Sequence, residues 1–284
     1  PREIYVEIKR FLGMPQIIAL TGLRRVGKTT LMLKIVSDYI EKGFDPKNIL
    51  YFSFDEFREA KLREILREYC ELSGKNLSQG RFLILLDEIQ KLQNWEEQLK
   101  RIYDTYKGHL KIIISGSESL FIRKKSKETL AGRLFEFQVN PLTFGEFLAF
   151  KNTKYKPISL YERELSRLFK EFNITQGFPE LVGVKDKLII KKYTRETILD
   201  KVVYRDLVTL FDIRDLSAFE AIIHIITTDP GQIIEITRLA SELGISRQSL
   251  SNYLGYLEKA FLLRKLYNFS KNKRKTERKL KKYY

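Results

Sequence analysis

The stretch Gly22-Leu23-Arg24-Arg25-Val26-Gly27-Lys28-Thr29 fits G-x-x-x-x-G-K-[ST] and stands between a short apolar run and a segment of helical composition. It constrains the fold more than any other feature, because the pattern has its meaning only as a turn from a strand into a helix. Glycines let the loop close tightly, successive backbone N–H groups converge on one point, and the following helix adds its positive N-terminal end. The ligand this suits is a chain of phosphates. Lys28 would set a point charge between β- and γ-phosphates, and the Thr29 hydroxyl would ligate a magnesium ion bridging them. The candidate nucleotide-binding residues are Gly22, Arg25, Val26, Gly27, Lys28, Thr29 and Thr30, with ATP or ADP and Mg2+ as the implied cofactors.

The surrounding sequence agrees. Apolar runs at residues 16–20, 49–54, 82–86, 110–115 and 134–139 alternate with helical patterns at 28–41, 59–72 and 95–106. That alternation predicts stacked βαβ units and a five-stranded parallel sheet in an α/β fold. The third run ends in Asp87-Glu88. Asp87 is placed to hold the magnesium through water, and Glu88 to take a proton from the water attacking the γ-phosphate. Two further candidates are weaker. Ser117, after the fourth strand, could hydrogen-bond the γ-phosphate or the water, and Arg133, just before the fifth, could reach a phosphate in a neighbouring subunit.

Beyond Pro141 the strand pattern stops. Residues 144–228 read as helix with breaks at 155–159 and 175–179, and a third pattern follows Asp229-Pro230-Gly231. The expected organisation is a nucleotide-binding α/β domain over 1–142, a helical lid over 143–228 and a winged helix-turn-helix over 229–284. In the last of these, helices at 237–243 and 247–259 flank a Gly244-Ile245-Ser246 corner, and Leu239, Ala240, Leu243, Ile245, Leu250, Tyr253, Leu254 and Leu257 form the expected buried set. A strand is expected at 261–269. Arg247, Gln248 and Asn252 at the start of the second helix could read base edges in a major groove.

Charge points to the same end of the chain. The formal net charge is +16, and residues 264–284 hold ten basic side chains and one acidic, more than half of the excess. Lys271, Lys273, Arg274 and Lys275 would sit on the wing and neutralise DNA phosphates; the alternative is a solvated loop. Elsewhere composition mainly excludes. The longest apolar run has five residues, far short of the roughly 20 a membrane-spanning helix needs. A lone Cys70 rules out an intrachain disulfide, and a cytoplasmic address is expected. A chain that starts at Pro1 and stops at Tyr284 is expected to be part of a longer protein.

These residues together resemble the AAA+-type ATPases of the archaeal ATPase group, near the STAND signalling class. The likeness rests on the loop from Gly22 to Thr30, Leu86-Asp87-Glu88-Ile89-Gln90-Lys91-Leu92 with Trp95, Ser115-Gly116-Ser117, Leu130-Ala131-Gly132-Arg133, Pro141-Leu142-Thr143-Phe144-Gly145-Glu146-Phe147-Leu148 and Gly177-Phe178-Pro179-Glu180. The resemblance implies a five-stranded core, a helical lid and a winged helix, with Pro179 packed against the adenine. In such ATPases the winged helix often serves as a lever on the nucleotide domain without touching DNA. One departure is plain: no arginine stands beside Gly177-Phe178-Pro179-Glu180 to sense the γ-phosphate. Relatives of this kind often continue into a nuclease-like domain.

Three functions are compatible with these motifs. The first is Mg-dependent ATP hydrolysis that moves lid and winged helix, acting on DNA, in a homo-oligomer if Arg133 works across an interface. The second is a nucleotide-locked switch that holds ADP and turns over little until a DNA or protein partner opens it. The third is a sequence-specific transcription regulator with structural ATP.

Overall fold

The computed structural model describes residues 2–55, 57, 61–116, 128–153, 155–208, 211, 213–269 and 281–284. They divide into two compact units, 1–198 and 199–284, so the division falls inside the segment expected as the lid.

In the first unit five parallel strands, β1 (Ile17–Thr21), β2 (Ile49–Ser53), β3 (Phe82–Asp87), β4 (Leu110–Gly116) and β5 (Leu134–Gln138), lie in the order β2-β3-β4-β1-β5. The central strands β1 and β3 are buried at every residue, which is why they read as continuous apolar runs rather than alternating ones. All strands point one way, so Thr21, Ser53, Asp87, Gly116 and Gln138 end at one edge of the sheet. β1 pairs on one side with β4 and on the other with β5, which makes that edge a topological switch point.

Helices α2 (Lys28–Glu41), α3 (Leu62–Ser73) and α4 (Trp95–Thr105) supply the crossovers. The α2 bounds match the sequence expectation, since Leu31, Met32 and Ile35 repeat at helical spacing and all are buried. An N-terminal helix, α1 (Glu3–Phe11), was not expected. It buries Tyr5 and Ile8 and sets Phe11 edge-on to Phe135 and Phe137 of β5, centroids 5.0 and 5.2 Å apart. The Lys111 ammonium fixes the turn from α1 into β1 by donating to the carbonyls of Phe11, Met14 and Gln16 at 2.8 to 3.0 Å.

The rest of this unit is helical. α5 (Phe144–Phe150) opens with a capping box in which Thr143 and Glu146 exchange hydrogen bonds, and α6 (Ile158–Thr175) packs on it around Phe147, Leu148 and Leu168. α7 (Lys187–Lys192) continues into a π-helical turn at Tyr193–Leu199, where this unit ends; a second such turn, Lys201–Leu207, belongs to the second unit.

The second unit contains α8 (Leu216–Thr228), β6 (Ile233–Ile234), α9 (Ile236–Glu242), α10 (Arg247–Lys259), β7 (Lys265–Leu266) and β8 (Lys281–Tyr283), with an antiparallel sheet in the order β6-β8-β7. Gly244 takes φ 66 at the corner, and Ser246 caps α10 by accepting from the Ser249 N–H. Of the expected buried set, Leu243 and Ile245 are half-buried and the other six are buried. The strand expected over 261–269 is cut to two residues. Phe261 adopts φ 56, and the turn it makes uses up the start of that apolar run.

Candidate functional site

The phosphate loop runs from the end of β1 to the start of α2, as its sequence demands. Gly22 takes φ 144, and a Cβ there would lie 2.1 Å from the Val139 carbonyl oxygen, so only glycine fits. Gly27, at φ 95, is the cap of α2. Arg25 also has a left-handed backbone, φ 64. Lys28 is buried, and its ammonium turns back over the loop to donate to the carbonyls of Gly22 and Leu23 at 3.0 and 2.9 Å. Thr29 and Thr30 are exposed on the first turn of α2.

The sheet brings Asp87 to this loop. The Thr29 hydroxyl donates to Asp87 Oδ2 at 2.7 Å, across 58 residues of chain. The Tyr51 hydroxyl donates to the same oxygen at 2.9 Å, and Ser115 donates to Oδ1. Asp87 is 4% exposed, so three hydroxyls replace the water that a carboxylate would otherwise need. Burial, followed by the charge of Asp87, pushes the Tyr51 phenol well above its ordinary range, and it stays a donor. Glu88 has φ 53 and accepts from the Gln90 side-chain amide at 2.6 Å.

Tyr51 and Ser115 are contributors that the sequence reading passed over. Ser115 stands two positions before Ser117, the residue chosen from that strand end; Ser117 lies outside the described residues. Tyr51 is the middle residue of β2, two positions before Ser53, which pairs with Asp87, and no motif marks it.

The segment after α6 touches the loop through charge. Arg25 Nη1 lies 3.1 Å from Glu180 Oε1, and Tyr193 donates to Glu180 Oε2 at 3.0 Å. Pro179 is half-buried and opens a 3-10 turn, Pro179–Leu181, beside this contact.

Arg133 does not join the cluster. It precedes β5 and therefore sits at the opposite edge of the sheet, where Nε and Nη2 pair with the two Asp104 oxygens at 2.9 and 3.1 Å. The strand between spans about 16 Å at roughly 3.3 Å per residue, beyond the reach of one side chain. In the second unit Arg247, Gln248 and Asn252 are exposed on the first turns of α10, and Gln248 donates to Asn252 at 2.9 Å. Lys271, Lys273, Arg274 and Lys275 lie outside the described residues.

A magnesium ion fits the donor set. Thr29 offers one hydroxyl oxygen and Asp87 one carboxylate, and no cluster of three or more His, Cys, Asp or Glu able to hold a metal occurs among the described residues. Mg2+ favours such sparse sites, because it retains waters and takes oxygens from substrate phosphates.

Residues 14–148 match a family described as an AAA domain, and the parallel sheet with its phosphate loop has the form of a P-loop α/β fold. Residues 166–284 match a domain of unknown function. Over 93% of its length the chain is 32% identical to an uncharacterized protein of Methanocaldococcus jannaschii, and over 93% it is 27% identical to an uncharacterized protein of Haemophilus influenzae. The chain spans 59% of the first and 66% of the second. A DNA polymerase III gamma subunit-related protein from Thermotoga maritima aligns over 90% of this chain and 99% of its own, with 15% identity and a TM-score of 0.38. No helix among the described residues is long and apolar enough to cross a membrane.

Proposed function

We propose that the first unit binds Mg-ATP and hydrolyses it to ADP and phosphate, driving rearrangement of the lid and the second unit. The observation that carries this reading is the 2.7 Å contact between Thr29 on the phosphate loop and Asp87 on β3. Two remote segments meet there, offering the hydroxyl and carboxylate that a nucleotide-bound magnesium requires. When bound, the ion neutralises charge on the phosphate oxygens. Lys28 exchanges its loop carbonyls for the β- and γ-phosphates, and the N–H groups of Arg25 to Thr30 grip the phosphate chain. Asp87 holds the ion's water shell, Glu88 takes the proton of the attacking water, Ser117 assists at the γ-phosphate, and Pro179 lines the adenine side. Arg133 acts on the nucleotide of a second copy of the chain.

The Arg25 to Glu180 contact favours a second reading, in which the lid latches over ADP and turnover is slow until a partner opens it. For the second unit we propose a winged helix that contacts duplex DNA through Arg247, Gln248, Asn252, Lys271, Lys273, Arg274 and Lys275.

Calorimetric titration with Mg-ATP and steady-state turnover test the site. Lys28→Ala abolishes binding, whereas Glu88→Gln binds ATP and does not turn it over. Hydrolysis retained by the Glu88 variant removes Glu88 from its role. Turnover that stays negligible in the native chain until DNA is added selects the switch.

A further inference from the structure

Behind the phosphate loop lies an ion pair that the site described above does not use. Glu146, 5% exposed, accepts at Oε1 from Arg2 Nε (2.9 Å) and the Glu3 N–H (2.7 Å), and at Oε2 from the Thr143 N–H (2.9 Å). The other guanidinium nitrogens of Arg2 reach backbone: Nη1 donates to the Val26 carbonyl at 2.8 Å and Nη2 to the Asn140 carbonyl at 2.5 Å. One planar fork thus joins the start of α1, the phosphate loop, the segment after β5 and the capping box of α5.

The Val26 contact has a directional consequence. In a planar trans peptide the carbonyl and the following N–H point to opposite sides. A Val26 carbonyl pinned to Arg2 therefore aims the Gly27 N–H away from Arg2, toward the side on which a phosphate-binding loop would present its N–H groups. Without the pin this peptide would turn easily, because Gly27, at φ 95, carries no Cβ to restrict it. Val26 is fully buried, so its carbonyl has no water to take the place of the guanidinium.

We propose that Arg2 is a positioning residue of the phosphate site: it orients the Val26–Gly27 peptide for the nucleotide, and Glu146 holds it in register with the first helix of the lid. The idea rests on the loop being a nucleotide site, but its effect on the Gly27 amide exists without nucleotide, which lets the two be tested apart.

The experiment uses the full chain with 15N-glycine labelling, which yields at most 15 glycine signals, and compares native protein with Arg2→Gln. Without nucleotide, the Gly27 amide resonance moves and its hydrogen exchange quickens, while Gly43 and Gly80, remote from the pair, are unchanged. Titrated with Mg-ATP, the variant binds about tenfold to a hundredfold more weakly, the range expected for loss of a charge-assisted hydrogen bond. KM rises by a larger factor than kcat falls, and added guanidinium ion restores part of the affinity. If Arg2→Gln does not fold, Arg2→Lys is read in the same way: it keeps a charge beside Glu146 but cannot also reach both carbonyls. A folded variant whose Gly27 signal and ATP affinity match the native chain overturns the proposal. A native chain that binds no nucleotide refutes the proposed function instead, and the Gly27 signal still decides for or against Arg2.

Discussion

Gly22→Ala is the sharpest test of how this site is built. The added Cβ would lie 2.1 Å from the Val139 carbonyl oxygen and 3.1 Å from its carbon, both backbone atoms with no rotamer to give way. Reaching an ordinary carbon contact of roughly 3.5 Å requires β1 and the segment after β5 to part by more than about 1 Å. That opening strains the 2.7 Å hydrogen bond from the Val139 N–H to the Thr21 carbonyl, worth about 1 kcal/mol. Holding alanine at φ 144 adds about 1 to 3 kcal/mol. The expected loss is therefore about 2 to 4 kcal/mol, a large share of the roughly 5 to 15 kcal/mol that keeps a domain folded. Gly43→Ala is the control, since Gly43 has φ 83 but nothing within 4 Å of the added Cβ, so it bears the backbone strain alone. Urea denaturation of both variants should separate them by about 1 kcal/mol or more. Nucleotide affinity should fall only in the Gly22 variant, because Lys28 is held by the Gly22 carbonyl. Equal midpoints for the two, with ATP affinity intact, would refute the close approach as the reason for glycine.

Other outcomes follow from the same contacts. Tyr51→Phe removes one of three donors from Asp87, so half-saturating magnesium in turnover should rise several-fold; an unchanged magnesium titration makes Tyr51 a bystander. Asp38 is held down to about 2 by hydrogen bonds from Lys34 and Tyr5, below an ordinary 3.8. Its stabilisation is complete above pH 3.8 and lost as the pH falls toward 2, so Asp38→Asn should flatten the acid limb of a pH-denaturation curve. Replacing Lys271, Lys273, Arg274 and Lys275 by Gln should lower the slope of log affinity for duplex DNA against log salt by about 3 to 4; an unaltered slope removes them from the interface. A mixture of Lys28→Ala and Arg133→Ala chains, each inactive alone, should recover turnover if Arg133 serves a neighbour, and stay inactive if it does not.

What could be read from sequence is what depends on near neighbours along the chain. The Gly22 to Thr29 turn, the apolar strands and the exact reach of α2 follow from glycine freedom and from periodicities that a short window contains. α1 did not: its stripe is as marked as that of α4, but its place in the fold depends on Phe135 and Phe137, more than 120 residues away. The π-helical turns at Tyr193–Leu207 carry no Gly or Pro to mark them, and their composition reads as ordinary helix. At the fourth strand the reading preferred Ser117 to Ser115, since a Ser-Gly-Ser end offers no local clue to which hydroxyl faces Asp87.

The residues missed around the site share one property: each acts on a partner fixed by sheet order rather than by a motif. Tyr51 meets Asp87 because β2 lies beside β3, with Ser53 opposite Asp87 itself. Arg2 meets Val26, and Glu146 meets Arg2, because β1 lies beside β5 and brings the loop next to the chain leaving the sheet. The loop motif therefore specifies which backbone groups can face a phosphate, while remote side chains decide whether they do. A glycine loop free to close is also free to collapse, and buried donors to its carbonyls restrict that freedom at no cost to the N–H groups on the other side.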